Sequence, residues 1–580
     1  MRLVFFVFAA VMGFGQPADT YVSATVKIAM RDGVSLSTNV FRPKVTARVP
    51  TILVRTPYNK GKTLSAGHKV FIGNGYAVVV QDVRGRYESE GVFQSWTQEP
   101  ADGEDTVEWI AKQSWSDGQV GMIGGSYVGI VQWKLALLNN PHLKAIFPVV
   151  SGNDDYRDRF YSRGGAVKLG SRLLWMNGNL KAPRAAPPDF ATYVRTLPLR
   201  VADVAATGQS SKLYYQLAME HPTFDAFWKE NSVREHLDQM KIPVYSIGGW
   251  YDNFVEGDLE SFSRLRKAGK MAYTAIGPWP HNMSTPFEEV DFGAVSKFPV
   301  SRVQLDWFNH WMKTPNQKKP FPDAPLKIFV MGRNQWREEQ EWPLRRAKLT
   351  PFYLSSKKGA NSLSGDGKLT LRRPLIDHKD YFDYDPANPV PTVGGAVCCT
   401  PQIFPWGPKD QSNVERRKDV LVYTSEVLVA DMEVTGPVRV VLFAATSAVD
   451  TDFTAKLVDV GADRRSRILS DGILRLRYRK SLEKAELAKP GEVYKLEIEA
   501  GVTSNVFLKG HRIRLEVSSS NFPRFDRNLN TGGPIATETR WRVAHQTVHH
   551  GRKAASYVLL PIVPAKVLKA GSLTQKASVH

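Results

Sequence analysis

The chain has 580 residues, of which 42% are hydrophobic, 11% aromatic and 23% charged, a composition typical of globular proteins. A single hydrophobic core does not organise so long a chain, so we expect two or three domains. The formal net charge is +20, but basic and acidic residues alternate along most of the sequence and form no concentrated basic patch. This pattern favours a solvated basic surface and excludes nucleic acid as the expected partner.

The first 15 residues, MRLVFFVFAAVMGFG, place one arginine before an apolar run that ends in Gly13-Phe14-Gly15. This pattern is typical of a cleavable signal peptide, with cleavage near Gly15, and predicts a secreted or periplasmic protein. No later segment has about 18 consecutive apolar residues, so we expect no transmembrane segment.

The only two cysteines, Cys398 and Cys399, are adjacent. They cannot join distant segments, and their spacing matches no zinc ligand set. Two alternatives stay open for this pair, a vicinal disulfide and two buried thiols. We expect neither a metal nor a cofactor.

Residues 16–153 alternate strand and helix patterns. The strand runs are VPTILVRTPY, YAVVVQDVRG, QVGMIGGSY and LKAIFPVVSG, and the helical runs between them include EDTVEWIAKQ and VQWKLALLNN. Such alternation predicts right-handed crossovers and a mainly parallel sheet.

Residues 154–240 lose the strand pattern and contain the helical runs SRLLWMNGNL, KLYYQLAMEH and SVREHLDQM, which predicts an inserted helical cap. Strands resume in residues 241–325, which we assign to the same α/β core.

Residues 326–570 show a period of two in many runs, beginning with PLKIFV. In HRIRLEVSSS the apolar residues Ile513, Leu515 and Val517 alternate with charged ones, which predicts a half-buried antiparallel strand with Glu516 on the polar face. The fold class predicted for the chain is therefore α/β, with an α/β-hydrolase domain, an inserted helical cap and a C-terminal all-β jelly-roll domain.

Ser126 lies between a predicted strand and a predicted helix, in the sequence GGSYVG. A nucleophile elbow requires this strand-turn-helix context, and the surrounding glycines allow a sharp turn. The two resumed strands end at Asp252 and at His281, so each delivers one titratable residue to the same edge of the sheet. The order Ser126, Asp252, His281 is that of α/β-hydrolases and predicts a nucleophile, an acid and a base.

An oxyanion formed at Ser126 needs hydrogen-bond donors. One is expected to be the backbone N–H of Tyr127. The loop after the strand PTILV contains Tyr58, whose phenol is a candidate for the second donor, although an aromatic side chain packed beside a proline turn is an alternative reading.

With these residues assembled, the chain resembles the family that includes bacterial cocaine esterase, X-Pro dipeptidyl-peptidase and the glutaryl-cephalosporin acylases. The similar stretches span nearly the whole chain and include RTPYNK, DVRGRYESEG, GGSYVG, DDYRDRFYSRGGA, GGWYDNF, GPWPHN, PVPTVGGAVCC, DTDFTAKLVDV and TSNVFLKGHRIRLEVSSSNFPRFDRN. The resemblance implies that Ser126 is the nucleophile, Asp252 the acid and His281 the base, and that Tyr58 and the N–H of Tyr127 bind the oxyanion.

The resemblance also bears on the substrate. Family members that hydrolyse α-amino-acid esters carry acidic residues just after the catalytic aspartate, whereas this chain has Asn253, Phe254 and Val255 there. Asp154 or Asp155 is the remaining candidate for holding a substrate ammonium. Aromatic residues of the cap suggest an apolar acyl pocket, with core packing as the alternative for each; they are Tyr156, Phe160, Tyr161 and Trp175.

The sequence therefore predicts an exported, cofactor-free serine hydrolase that acts on a small-molecule ester, amide or short peptide through an acyl-enzyme. An X-Pro dipeptidyl-peptidase is the first alternative. A non-catalytic protein that binds glycans or the cell envelope is the alternative of another class.

Overall fold

The computed structural model describes residues 21–183 and 188–564. The predicted signal peptide and the end of the predicted C-terminal domain lie outside these residues. None of the helices in the described ranges is long and apolar enough to span a bilayer.

The first sheet has ten strands: β1 (Tyr21–Ala29), β2 (Ser35–Pro43), β3 (Val49–Thr56), β4 (Ala77–Asp82), β5 (Ser116–Gly125), β6 (Leu143–Val149), β7 (Val244–Tyr251), β8 (Ala272–Pro280), β9 (Leu326–Val330) and β10 (Gln335–Glu339). Their order is β1-β2-β4-β3-β5-β6-β7-β8-β9-β10. The pairs from β4–β3 to β8–β9 are parallel, whereas β1–β2, β2–β4 and β9–β10 are antiparallel.

Both faces of this sheet are covered, since β3, β4, β7 and β8 are buried along their whole length. Alternate residues enter different apolar clusters: Leu53 and Val79 belong to one, and Ile52 and Val78 to the other. The α-helices of the described residues are α1 (Ala66–Gly73), α2 (Glu99–Ala111), α3 (Tyr127–Ala136), α4 (Leu169–Asn179), α5 (Phe190–Tyr193), α6 (Ala202–Thr207), α7 (Leu217–Glu220), α8 (Ala226–Asn231), α9 (Val255–Lys267) and α10 (Val300–Met312).

The segment PLKIFV was predicted to open the C-terminal domain, but its strand β9 pairs with β8 in the first sheet, with Ile328 opposite Ile276. Leu326, Phe329 and Val330 are fully buried. A short apolar run interrupted only by Lys327 carries no period that distinguishes an interior parallel strand from the first strand of a new domain. The first sheet therefore extends to Glu339.

Helical segments fill the chain between β6 and β7, from α4 to α8. The predicted helix in KLYYQLAMEH is a π-helical turn followed by α7, and SVREHLDQM forms a 3₁₀ helix. Shorter turns complete this region: π-helical Asp155–Phe160 and Lys212–Gln216, and 3₁₀ Leu199–Val201 and Val233–Gln239.

A second sheet contains the remaining strands: β11 (Lys348–Ser355), β12 (Lys368–Thr370), β13 (His378–Tyr384), β14 (Leu421–Thr424), β15 (Met432–Thr446), β16 (Asp452–Val460), β17 (Ser466–Arg475), β18 (Tyr494–Phe507), β19 (Arg512–Ser518), β20 (Ala544–His550) and β21 (Tyr557–Val563). Its order is β13-β20-β15-β21-β11-β12-β14-β19-β16-β17, with β18 paired to β15. Nearly all pairs are antiparallel.

Strand β19 is flanked by β14 and β16, and its predicted polar face is not solvated. Glu516 is buried, with a carboxylate oxygen 3.3 Å from Nζ of Lys456 on β16. The alternation of apolar and charged residues predicted the strand correctly. It could not show that Lys456 of the neighbouring strand β16 lies beside Glu516.

Candidate active site

Ser126 occupies the turn between β5 and α3, and its backbone has φ 58° and ψ −127°. A non-glycine residue seldom adopts this conformation, and it is the strained geometry of a nucleophile elbow. The N–H of Ser126 donates to the carbonyl of Val149 at the end of β6, across 2.9 Å. This bond fixes the turn to the carboxyl edge of the parallel sheet.

Two glycines make the turn possible. At Gly124, φ is 136° and a Cβ atom would lie 2.2 Å from Cγ1 of Val128. At Gly129, a Cβ atom would lie 2.6 Å from Cβ of Ser151, because α3 crosses closely over the chain after β6. Gly129 stands one residue later than the second glycine of the simple elbow motif Gly-x-Ser-x-Gly, and the close approach of α3 to Ser151 requires a glycine there.

Asp252 follows β7 and His281 follows β8, so neighbouring parallel strands deliver both side chains beside Ser126. His281 Nδ1 lies 2.6 Å from Oδ1 of Asp252, and His281 Nε2 lies 3.0 Å from Oγ of Ser126. A carboxylate can only accept, so Nδ1 carries the ring proton and the neutral ring presents the lone pair of Nε2 to the serine. The three predicted residues thus form one hydrogen-bonded chain.

The carboxylate of Asp252 is fully buried, and its second oxygen accepts the N–H of Phe254 across 3.0 Å. Asp258 on α9 lies behind it and accepts the N–H of Gly152 across 3.2 Å. Burial raises the pKa of Asp258 well above its usual range, and the charge of Asp252 raises it further. The raised pKa favours the neutral form of the Asp258 carboxyl behind the candidate acid.

Tyr58 lies in the loop after β3, and its hydroxyl is 3.4 Å from Oγ of Ser126. The indole N–H of Trp175, on α4 of the cap, donates to the same hydroxyl across 3.1 Å. Because the phenol oxygen accepts from Trp175, the phenol proton is free to point toward an oxyanion at Ser126. The backbone N–H of Tyr127 lies in the first turn of α3, where N–H groups have no acceptor within the helix.

The side chain of Tyr127 anchors the turn at Ser126 to the buried core. Its hydroxyl donates to Oε1 of Glu99 across 2.6 Å, and Glu99 also accepts from Arg55 across 2.8 Å. Burial raises the pKa of Tyr127 well above its usual range. Its ring stacks on Trp175 with ring centres 6.1 Å apart.

The predicted ammonium ligands Asp154 and Asp155 are both committed to internal ion pairs, which corrects that prediction. Asp155 is buried between Lys134, at 2.6 Å, and Arg159, at 2.5 Å. Asp154 is also buried, caps the π-helical turn that follows it and lies 2.6 Å from Arg157. Neither carboxylate is available to hold a substrate amine.

The cap aromatics divide into two groups. Tyr156, Phe160 and Tyr161 are fully buried, and the two phenols donate to backbone carbonyls of the cap, at Pro222 and Ala218. Their predicted role as pocket residues is corrected to core packing. Only Trp175 among the four predicted aromatics lines the pocket beside Ser126.

That pocket is built by three parts of the chain. The cap contributes Arg159, Lys168, Arg172 and Trp175, the loop after Asp252 contributes Asn253 and Phe254, and the C-terminal region contributes Ala396, Cys398, Cys399 and Arg524. Cys398 and Cys399 are joined by a disulfide, which is one of the two alternatives left open by the sequence. The sequence did not predict that residues of the C-terminal region line this pocket, because they lie more than 260 positions from Ser126.

Comparison with known proteins places the chain in a family. Residues 32–283 match the X-Pro dipeptidyl-peptidase (S15 family) domain, and residues 320–559 match the X-Pro dipeptidyl-peptidase C-terminal non-catalytic domain. The chain is 39% identical over 574 residues to cocaine esterase from Rhodococcus sp. (strain MB1 Bresler), covering 93% of this chain and 98% of the relative.

Two solved structures have the same overall fold. An aminopeptidase from a marine sediment Thaumarchaeota archaeon superposes with a TM-score of 0.83 and 26% identity, covering 96% of this chain and 99% of that one. An α-amino acid ester hydrolase superposes with a TM-score of 0.81 and 26% identity, covering 96% and 98%.

These findings confirm the predicted fold class, an α/β-hydrolase domain followed by an all-β domain, and the prediction of a serine hydrolase over a non-catalytic binding protein. The similarity covers both matched domains and nearly the full length of the chain. The chain belongs to the X-Pro dipeptidyl-peptidase (S15) family of serine hydrolases.

Proposed function

We propose that this enzyme hydrolyses an ester or amide bond through an acyl-enzyme formed on Ser126, with His281 as general base and Asp252 as its orienting acid. The observation that carries the proposal is the hydrogen-bonded chain from Ser126 Oγ through His281 to Asp252, with distances of 3.0 and 2.6 Å. An esterase and an α-amino acid ester hydrolase among the similar proteins further support acyl transfer.

In the proposed reaction, His281 Nε2 takes the proton of Ser126 as Oγ attacks the substrate carbonyl. The N–H of Tyr127 and the hydroxyl of Tyr58 donate to the resulting oxyanion. His281 then gives the proton to the leaving group, and the carbonyl–leaving-group bond breaks. Water then attacks the acyl carbonyl as His281 takes its proton. The bond between the carbonyl and Oγ of Ser126 breaks, and His281 returns the proton to Oγ, which releases the acid and restores the hydroxyl.

We also propose that a free α-amino group is not required. Asp154 and Asp155 are engaged by cations, and Glu256, the first carboxylate after Asp252, lies 3.4 Å from Arg163. An X-Pro dipeptidyl-peptidase must recognise a free amino terminus, so these ion pairs favour a simple ester or amide as substrate.

The test is the initial rate on three chromogenic substrates: a short acyl ester, an α-amino acyl ester and a Gly-Pro anilide. We expect turnover of the short ester and its loss in Ser126→Ala. Turnover of the Gly-Pro anilide alone would contradict the proposed independence from an amine. Equal rates for the wild type and Ser126→Ala would contradict the nucleophile.

We also propose that the protein is exported, because residues 1–15 carry the signal-peptide pattern. Mass spectrometry of the amino terminus of the protein recovered outside the cytoplasm tests it. We expect a mature chain that begins near residue 16, and a full-length chain retained in the cytoplasm would contradict export.

A further inference from the structure

We propose that the Cys398–Cys399 disulfide is a thiol–disulfide exchange site in the wall of the pocket beside Ser126, and that its reduction by a dithiol loosens this wall and slows turnover. The exchange concerns the two cysteines alone. Its effect on turnover rests on the serine hydrolase proposed above, because it links the state of the disulfide to the reaction at Ser126.

The disulfide faces the site of the proposed reaction. Cys398 and Cys399 both line the pocket that contains Ser126, and they are bonded to each other. A disulfide stabilises a fold mainly by closing a loop of the unfolded chain, and a bond between adjacent residues closes almost none. The position of this bond therefore points to a role in the pocket and not in the stability of the domain.

The two cysteines differ in their access to solvent. Cys398 is 5% exposed, whereas Cys399 is partly exposed. Exchange begins when a thiolate attacks one sulfur of the bond, and access decides which sulfur is attacked. A thiolate that enters the pocket therefore meets Sγ of Cys399, and Sγ of Cys398 is the leaving group.

The charges of the pocket favour this attack. Four of the residues that line it are cationic, and none of its described lining residues is Asp or Glu. The cations are Arg159, Lys168, Arg172 and Arg524. Arg172 donates to the hydroxyl of Tyr214 and to a backbone carbonyl, and no carboxylate of the described chain lies within ion-pair distance of it. Such cations attract the incoming thiolate and stabilise the thiolate that leaves.

The exchange transfers two electrons and two protons from the dithiol to the protein. The first sulfur of the dithiol bonds to Sγ of Cys399, the bond between the cysteines breaks, and Sγ of Cys398 takes a proton. The second sulfur of the dithiol then attacks the first, which releases Cys399 as a thiol. The dithiol leaves as a cyclic disulfide.

Reduction changes the pocket, because two sulfurs that are no longer bonded must lie farther apart. The segment that carries them packs against α4 of the cap. The N–H of Cys398 donates to Oγ of Ser171 across 3.3 Å, and Val397 shares an apolar cluster with Leu174. Movement of the cysteines is therefore transmitted to this helix.

Helix α4 connects the disulfide with the candidate oxyanion donor. Trp175 lies one turn after Ser171, and its indole N–H donates to the hydroxyl of Tyr58 across 3.1 Å. A displaced wall thus affects both the space for the substrate and the orientation of this hydroxyl. A misplacement of about 1 Å in such a site can lower the rate by about 10²-fold.

Alkylation of the native protein tests the exchange. Wild type is incubated with dithiothreitol, or with its oxidised cyclic form as the matched control, and after removal of the reagent it is treated with N-ethylmaleimide without denaturant. Cys398 and Cys399 are the only cysteines of the chain. We expect peptide mass spectrometry to find an adduct on at least one of them after dithiothreitol and none in the control. No adduct after dithiothreitol, or adducts in the control, would overturn the exchange site.

Initial rates on a short acyl ester test the effect on turnover. We expect kcat/KM to fall by about tenfold or more after reduction and to recover after reoxidation with 2-hydroxyethyl disulfide. The double variant Cys398→Ser/Cys399→Ser cannot form the bond, so its kcat/KM should match that of the reduced enzyme and should not respond to dithiothreitol. If this variant does not fold, the reversible change in wild type still tests the effect. Equal kcat/KM for reduced and oxidised wild type would overturn the control of turnover.

Hydrogen exchange separates a failure of this inference from a failure of the proposed hydrolase. Peptides from residues 168–179 and 394–407 should exchange faster in the reduced protein, whether or not it hydrolyses an ester. Faster exchange in a wild type that turns over none of the three chromogenic substrates would support the redox-sensitive wall and sink the hydrolase function, together with the effect on turnover. Unchanged exchange in both segments would overturn the loosening of the wall.

Discussion

Trp175 of the cap donates its indole N–H to the hydroxyl of Tyr58 across 3.1 Å, and this hydroxyl lies 3.4 Å from Oγ of Ser126. The bond joins a helix of the cap to the loop after β3. It also orients the phenol proton, since an oxygen that accepts from the indole directs its own proton elsewhere. The cap thus orients the hydroxyl that we propose as an oxyanion donor.

Tyr58→Phe removes this donor, and we expect kcat on a short acyl ester to fall by about 10²-fold. Trp175→Phe keeps an aromatic ring but removes the indole N–H, and a fall of about tenfold is expected because the phenol loses its orientation. Because both act through one hydroxyl, the double variant should be no slower than Tyr58→Phe. Additive losses would contradict the coupling, and Tyr381→Phe at an exposed position is the control.

Asp252→Asn tests the tautomer of His281. The carboxylate accepts from Nδ1, whereas an amide can present an N–H there and leave Nε2 protonated toward Ser126. We expect kcat to fall by about 10⁴-fold with little change in melting temperature. A loss within about tenfold would show that Asp252 does not set the tautomer.

Gly124→Ala should disrupt the elbow, whereas Gly125→Ala should be tolerated. A methyl group at Gly124 meets Val128 at 2.2 Å with φ at 136°, whereas the nearest atom to a methyl group at Gly125 is 3.4 Å away. We expect a loss of about 1–3 kcal/mol in the free energy of unfolding for Gly124→Ala, measured by urea titration. Equal stability of the two variants would contradict the close approach of α3 to β5.

Asp258→Asn should change the pH dependence of stability. The pKa of Asp258 is raised in the folded state, so its contribution is fully present below the unfolded pKa and is lost as pH rises toward the folded value. The asparagine has no proton to lose. The melting temperature of the variant, relative to wild type, should therefore be higher at about pH 8 than at about pH 4.5. A difference that is independent of pH would contradict the raised pKa.

The sequence could predict that the three candidate catalytic residues lie close together, because each follows a buried strand. β5, β7 and β8 are parallel, and the turns after them meet at one edge of the sheet, which brings Ser126, Asp252 and His281 together. The glycine pattern around Ser126 marked the turn. The position of PLKIFV could not be predicted, since a short apolar run fits either domain.

The charge of the pocket could not be read from the sequence. Arg172 lies on α4, where a charged residue is normally solvated, and its burial depends on Tyr214 and on the C-terminal wall of the pocket. The prediction that Asp154 and Asp155 face a substrate was wrong for a similar reason. Lys134, the partner of Asp155, lies on α3, and the sequence does not show that this helix packs against the cap. Ion pairing between distant segments is a property of the packed structure.

The most direct test of the central claim is the site of covalent modification by a fluorophosphonate, located by mass spectrometry of peptides. We predict one adduct per chain, on Ser126, and no adduct in Ser126→Ala. Ser171→Ala, which alters another serine of the same pocket, should be labelled like wild type. An adduct on any other residue, or labelling that persists in Ser126→Ala, would contradict the assignment of Ser126 as the nucleophile.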